Sequence, residues 1–294
     1  MATATSSRET SSQKNLELFW LGRWLRAHAA LALSAVLATM IVSVAVAGPA
    51  IAPYSPTTPD ILNRLLPPSG DHLFGTDHLG RDIFSRVIAG ARVSLGLAAL
   101  IMAIAVPIGV LLGILAGYWG GRLDAWISRV TDAMFAFPSL VLAMAINAAL
   151  RPSIASTVIA VSAVWWPSYT RLLRGQVIAI KHVPFVEAAR SLGASDGRII
   201  RRHILPNVVG PLLVKITNDL GHALVIAAGL SFIGLGVQPP TPEWGAMVAE
   251  GRAYLLDFWW YAVFPGLAIA VTVLSFAFFG DAIHELLEPR SRRS

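Results

Sequence analysis

PFVEAARSLGASDGRIIRRHILPN, residues 184–207, is a charged segment in a chain that is otherwise mostly apolar. Long apolar stretches flank it, so it is a loop between membrane spans, yet it is built like two short helices with a defined break. Pro184 suits a first helical position, where its missing N–H costs nothing. Phe185, Ala188, Ala189 and Leu192 recur at helical spacing and form one apolar face. Gly193 falls where a helix stops, because it adopts the positive φ of a C-terminal cap. Ser195 or Asp196 can cap a second helix, which Pro206 is expected to end. A first helix of about nine residues is about 13 Å long, enough for a rigid peg in a groove. Glu187 favours the positive end of its dipole and can pair with Arg190 or with an arginine of a partner. An apolar face exposed on a basic aqueous loop points to a protein partner.

Outward from this loop the chain reads as a membrane protein. Of 294 residues 55% are hydrophobic and only 14% charged, against about 25% charged in soluble domains. Spans need roughly 17–25 apolar residues. Six stretches qualify: 29–51, 93–121, 133–150, 152–170, 208–237 and 258–280. Only Arg151 separates the third from the fourth, which makes them a tight hairpin. The first is longer than the roughly 7–15 apolar residues of a signal peptide, so it is read as a span. No cysteine is present, which excludes disulfides and thiolate metal sites.

The net charge of +6 sorts by side. With a cytoplasmic N-terminus, sixteen of the 23 Lys and Arg lie inside and six outside. That asymmetry fits the positive-inside rule. It places both termini and the 184–207 loop in the cytoplasm and removes the nucleic-acid reading of a basic chain. Residues 1–26 form a cytoplasmic tail, 27–285 the membrane domain with its loop at 179–207, and 286–294 a second cytoplasmic tail. Residues 52–92 form an outside segment, turn-rich at first and able to be helical from about Asp82.

Glu187-Ala188-Ala189, Gly193 and Leu205-Pro206 together resemble the cytoplasmic coupling loop of ABC-importer permeases. His203 stands where the general pattern has Ile. Three further strings, FGTDHLGRDIFSRVIAGARVSL before the second span, GGRLDAWISRVTDAMFAFPSLVLA at 120–143 and LSFIGLGVQPPTPEWGAMVAEGR at 230–252, resemble the C-type subunit of the dipeptide/oligopeptide/nickel branch. The resemblance covers about residues 27–285.

It implies an all-α, six-span, type I ABC-importer permease of the bacterial inner membrane. The implied function is passage of short peptides in an ATP-driven importer. Nickel, glutathione and antimicrobial-peptide transport are alternatives within the branch. The implied partners are a homologous sister permease, two cytoplasmic ATPases carrying ATP and Mg, and an extracytoplasmic binding protein. The coupling residues would be Phe185, Glu187, Ala188, Ala189, Leu192 and Gly193. The chain has no phosphate-binding Gly-Lys-Ser/Thr loop of its own, no cofactor is expected on it, and it is not read as an enzyme.

A second polar group lies inside the fifth span. Lys215, Asn218, Asp219 and His222 share one helical face at i, i+3, i+4 and i+7. Polar groups in a span are costly and tend to face partners or a water-filled path. Asn218, Asp219 and His222 are therefore candidate pathway residues. The plainer alternative is a snorkelling Lys215 balanced by Asp219. A proton-coupled secondary transporter using this face is the alternative from another class. Relatives, as the resemblance implies, carry an acid a turn or more later, where this chain has Ile226-Ala227-Ala228. Asp124, Arg129 and Asp132 read as a salt-bridged membrane boundary. Trp165-Trp166 and Trp259-Trp260 read as interfacial anchors. His72 and His78, with no cysteine or carboxylate cluster evident, are weak metal candidates.

Overall fold

The structure, a computed structural model, describes residues 32–48 and 50–287. Among these the regular elements are all helical, with one isolated antiparallel bridge between Thr76 and Asp82. The elements are α1 (Ala32–Gly48), α2 (Ile83–Trp119), α3 (Gly121–Phe135), α4 (Ser139–Leu150), α5 (Ile154–Ile180), α6 (Pro184–Ser191), α7 (Asp196–Ile199), α8 (Leu205–Phe232), α9 (Trp244–Gly251) and α10 (Trp260–Leu287). Short 3-10 turns lie at Ile61–Asn63 and Arg252–Tyr254. The tails at 1–26 and 288–294 lie outside the described residues, and α10 runs two residues past the expected boundary at 285.

Five of the six expected spans correspond to helices with shifted ends, but among the described residues only α2, the helix Asp196–Phe232 and α10 are by themselves long and apolar enough to cross a membrane. The outside amphipathic stretch and the second span are one helix, α2, of 37 residues, about 55 Å at 1.5 Å per residue. Asp82 starts it by accepting from the Ser85 backbone N–H at 2.7 Å. The fourth span continues well beyond residue 170, as α5, to Ile180. Arg151, at φ 69°, makes the tight turn between α4 and α5.

The third span is a correction. Residues 133–150 are not one straight helix: α3 and α4 meet at 90° across Ala136–Pro138. Pro138 disfavours a helical conformation at Phe137 and cannot continue α3. The 12 residues of α4 extend only about 18 Å, short of the roughly 30 Å hydrocarbon layer.

A second correction concerns Pro206, expected to end the second loop helix. The chain instead runs as one helix from Asp196 to Phe232. A π-helical stretch, Ile200–Ile204, intervenes, with Leu205 N–H donating to Ile200 O. This wider turn makes room where the proline has no N–H to give and its ring would strike a carbonyl.

The tightest packing joins α2 to α5. Gly109, Gly113 and Gly117 fall every fourth residue on α2 and face Tyr169, Leu173 and Val177 of α5. A Cβ on Gly113 would stand 2.6 Å from Leu173 Cβ, and one on Gly117 2.8 Å from Val177 Cβ. Small residues at this spacing let two spans touch backbone to backbone. α8 and α10 pack similarly through Gly221 against Val273 and Gly280 against Asn218. Leu267, Val271, Leu274 and Phe278 leave an exposed apolar stripe along α10, as a lipid-facing helix should.

Candidate functional site

The loop helix α6 is fastened on one side and free on the other. Val186 is fully buried and joins Leu173, Val177, Ile199, Ile204 and Val208 in a cluster where the end of α5 meets the start of α8. Leu192 is 88% exposed, Phe185 45% exposed, Ala188 and Glu187 are exposed and Ala189 is half-buried. Gly193, at φ +81°, donates to Arg190 O at 3.0 Å, and Ala194 N–H reaches Ala189 O at 3.1 Å. These two bonds close α6 with the pair that a Schellman end requires.

The structure brings in residues that the sequence pattern did not reveal. Tyr118, at the end of α2, donates to Asp196 Oδ1 at 2.6 Å. Arg190 lies 5.8 Å above the Tyr118 ring and donates to its hydroxyl at 3.5 Å. That contact raises the Arg190 guanidinium above its ordinary pKa. Lys181 Nζ donates to Gly117 O at 2.8 Å. The loop is thus tied to α2 as well as to α5 and α8. Glu187 does not pair with Arg190; His182 Nδ1 lies 3.9 Å from its carboxylate on the surface. Asp196 spends its carboxylate on Tyr118, and Ser195, the residue before α7, makes no side-chain cap.

The polar face of α8 divides between neighbours. Lys215 Nζ lies 2.9 Å from Asp219 Oδ2 and 5.0 Å above the Tyr169 ring. Trp165 Nε1 donates to the same Asp219 oxygen at 3.1 Å. Asn218 packs against Gly280 of α10. His222 falls between Asn218 and Asp219 by helical angle; it is exposed, with Nδ1 3.1 Å from Asn218 O. The stripe therefore straddles the gap between α5 and α10, and Asp219 is an ion-pair partner whatever else it does. Trp165 serves this pair and is not a simple interfacial anchor. Trp260 is buried, with Nε1 directed to Thr76 O at 3.4 Å, so of that pair only Trp259 is exposed.

Of the salt-bridged set expected at Asp124, Arg129 and Asp132, the two aspartates form ion pairs, with partners from α5. Arg174 binds Asp124 through Nε at 2.5 Å and Nη2 at 2.8 Å. Arg171 pairs with Asp132 at 2.7 Å.

At the opposite end two carboxylates and two guanidiniums close into a buried, charge-balanced network. Arg81 Nε binds Asp77 Oδ2 at 2.6 Å, and Arg81 and Arg86 reach Glu250 Oε2 at 3.2 and 3.3 Å. Tyr261 donates to that oxygen at 2.9 Å, and His78 Nδ1 lies 2.7 Å from the Tyr261 hydroxyl. Ligand atoms of Asp77, His78 and Glu250 lie within 4.8 Å of one another, but the two guanidiniums already hold the carboxylates and would repel a cation. His72 goes elsewhere, to Asp82 at 3.0 Å, so the two histidines do not share a site. Nearby, Glu243 caps α9 through Gly245 and Ala246 N–H at 2.9 and 2.8 Å. Trp244 Nε1 donates to Val87 O at 2.8 Å. The strings at 74–95 and 230–252 thus meet each other.

Residues 109–293 match the family of binding-protein-dependent transport system inner membrane components. The chain is 48% identical over 258 residues to the probable D,D-dipeptide transport system permease protein DdpC of Escherichia coli (strain K12), covering 88% of this chain and 87% of that protein. It is 45% identical over 273 residues to the glutathione transport system permease protein GsiD of Escherichia coli O6:K15:H31 (strain 536 / UPEC), covering 92% and 89%. Among solved structures, an inward-facing MetNI methionine ABC transporter chain superposes with a TM-score of 0.55 at 18% identity, over 69% of this chain and 97% of that one; this likeness speaks to fold alone. A membrane-embedded all-helical chain with a fastened, outward-facing loop helix and these relatives belongs to the binding-protein-dependent inner membrane components, the permease subunits of ABC importers.

Proposed function

We propose that the chain is the permease subunit of an importer for short peptides, and that α6 couples it to an ATPase. As an ABC-importer permease it works with an ATPase and a binding protein and is not itself the enzyme. The finer assembly is our reading: a homologous sister permease beside it, two cytoplasmic ATPases carrying ATP and Mg, and a binding protein docking outside. Peptide as solute rests on relatives named for a dipeptide and for glutathione, itself a small peptide. Residues 27–285 form the membrane domain, with both tails and the 179–207 loop cytoplasmic. The sister's seat is the α3–α4 bend, where α3 buries only Thr131 within the chain and Trp126, Phe135, Phe137 and Val141 stand exposed.

The carrying observation is the two-sidedness of α6. Val186 roots it while Phe185, Ala188 and Leu192 face outward. A helix rooted on one face and bare on the other transmits a push from a groove that grips the bare face. Glu187 sits at its exposed, positive end. Closure of the ATPases would move the loop, and rigid-body rocking of the spans would alternate access. The Lys215–Asp219 pair, closed by Trp165 and Tyr169, suits a fixed polar wall better than a proton relay.

Glu187→Arg tests this, because it leaves Val186 and the fold untouched. In the assembled importer, uptake and transport-stimulated ATP hydrolysis should fall together, by at least about tenfold if one charge-assisted contact of roughly 1.5–3 kcal/mol is lost. Membrane insertion should be normal. Normal uptake at normal expression would sink the coupling role.

A further inference from the structure

The flank formed by α1, α2, α8 and α10 contains a groove of about 450 Å³, within the roughly 300–1,000 Å³ of small-molecule sites. Its walls are almost wholly apolar, with Ala45 from α1, Leu224 from α8 and Phe276 from α10. Gly96 of α2 forms its floor, with nothing within 4 Å of where a Cβ would stand. From Arg92 to Ala99, both lining residues, the groove follows α2 for about 10 Å.

Arg92 is the one charged side chain in the lining. It is exposed and makes no hydrogen bond or ion pair among the described residues. The neighbouring arginines Arg81 and Arg86 are both spent on Asp77 and Glu250. An unpartnered guanidinium at the edge of a hydrocarbon layer calls for an anion, and its fork matches a phosphate. A peptide or protein segment in the groove would leave backbone N–H and C=O groups facing walls that offer almost no polar partner. A single hydrocarbon chain leaves none.

We propose that this groove holds one acyl chain of an anionic phospholipid whose phosphate pairs with Arg92. The occupant is a resident lipid at the back of the helix bundle, separate from the solute path and from α6. The proposal stands whichever solute is carried.

The test uses the full-length chain, assembled with its importer partners, in nanodiscs of phosphatidylethanolamine doped with phosphatidylglycerol that carries a mid-chain diazirine. Photolabelling should map to the groove, at residues such as Gly96 and Leu224. A phosphatidylcholine probe with the same diazirine should label it far less. Arg92→Gln should cut phosphatidylglycerol labelling about fivefold, the weight of one surface arginine for an anionic lipid. Gly96→Phe should abolish labelling by filling the floor, with Ala99→Phe as a second filling variant should Gly96→Phe fail to assemble. Excess glycerol phosphate, which has the headgroup chemistry but no chain, should not compete. Equal labelling by phosphatidylcholine, no response to Arg92→Gln, or competition by glycerol phosphate would each overturn the site. So would cross-links from a cysteine at Ala99 to residues 1–31 or to a partner chain, which would mean that protein covers the groove.

Discussion

Asp219 shows how one residue can be read two ways. Its carboxylate receives Lys215 at 2.9 Å and Trp165 Nε1 at 3.1 Å, while Asn218 and His222 continue the polar face beyond what one ion pair needs. If Asp219 only offsets Lys215, Asp219→Asn leaves a half-buried cation in the span unpaired, which should lower the yield of assembled complex. The double change Lys215→Met with Asp219→Leu should then recover assembly and uptake together. If the stripe instead lines the path, the double variant should assemble and still not transport. Yield of assembled complex and uptake, measured in the single and double variants, separate the two. The i, i+4 pair was legible in the sequence, because helical spacing fixes it. Trp165 and Tyr169 were not, because a single segment carries no record of which other helix lies across from it. For the same reason Val186 and Tyr118 were missed at the coupling loop. Val186 lies about 100° round the helix from Phe185, off the Phe185–Leu192 stripe, and Tyr118 lies more than sixty residues away in sequence.

At the scale of elements, composition located the spans but not their continuity. Hydropathy sees the apolar residues of 133–150 as one run and passes over the Pro138 that turns the chain by 90°. At Pro206 the reverse holds: a stop signal was read where a π turn carries the helix through. Both cases turn on where the backbone hydrogen bonds of a proline's neighbours go, which a periodicity count does not ask. The glycine ladder on α2 was legible in principle, since Gly109, Gly113 and Gly117 recur every fourth residue. Its weight appears only once α5 is laid against it. Gly113→Leu drives a branched side chain into Leu173 and the Thr170 carbonyl. Thermal unfolding in detergent should show a loss of about 1–3 kcal/mol. Gly175→Leu, on the same pair of helices but with open space at its Cβ, should leave stability nearly unchanged. Equal effects at both positions would deny the close approach.

Across the whole molecule, the two ends carry different kinds of glue. One end is held by the Asp77–Arg81–Arg86–Glu250 network, the other by the apolar cluster around Val186 and Ile199. The orientation we propose makes Ser195 cytoplasmic and Leu256, which is 97% exposed, extracytoplasmic. Single cysteines at these positions, free of background because the chain has none, should react with an impermeant maleimide from opposite sides in oriented vesicles. Labelling of both from one side would break the topology. This proposed orientation rests on the sixteen-to-six asymmetry of basic residues. The charged network was invisible in advance, since its members come from residues 77–86 and 250–261.

The glycine ladder also decides where this protein can bend. Two rods pressed backbone to backbone, with side chains of one seated over the bare ridge of the other, have no clearance to slide. α2 and α5 must then travel as a single beam, anchored at one end in the Asp77–Glu250 clasp and at the other beneath the loop through Gly117 and Tyr118. A beam of this kind trades flexibility for reach: a small tilt imposed at the foot becomes a sideways sweep at the head. Any bending is then left to places without such a ridge, such as the right-angled elbow between α3 and α4.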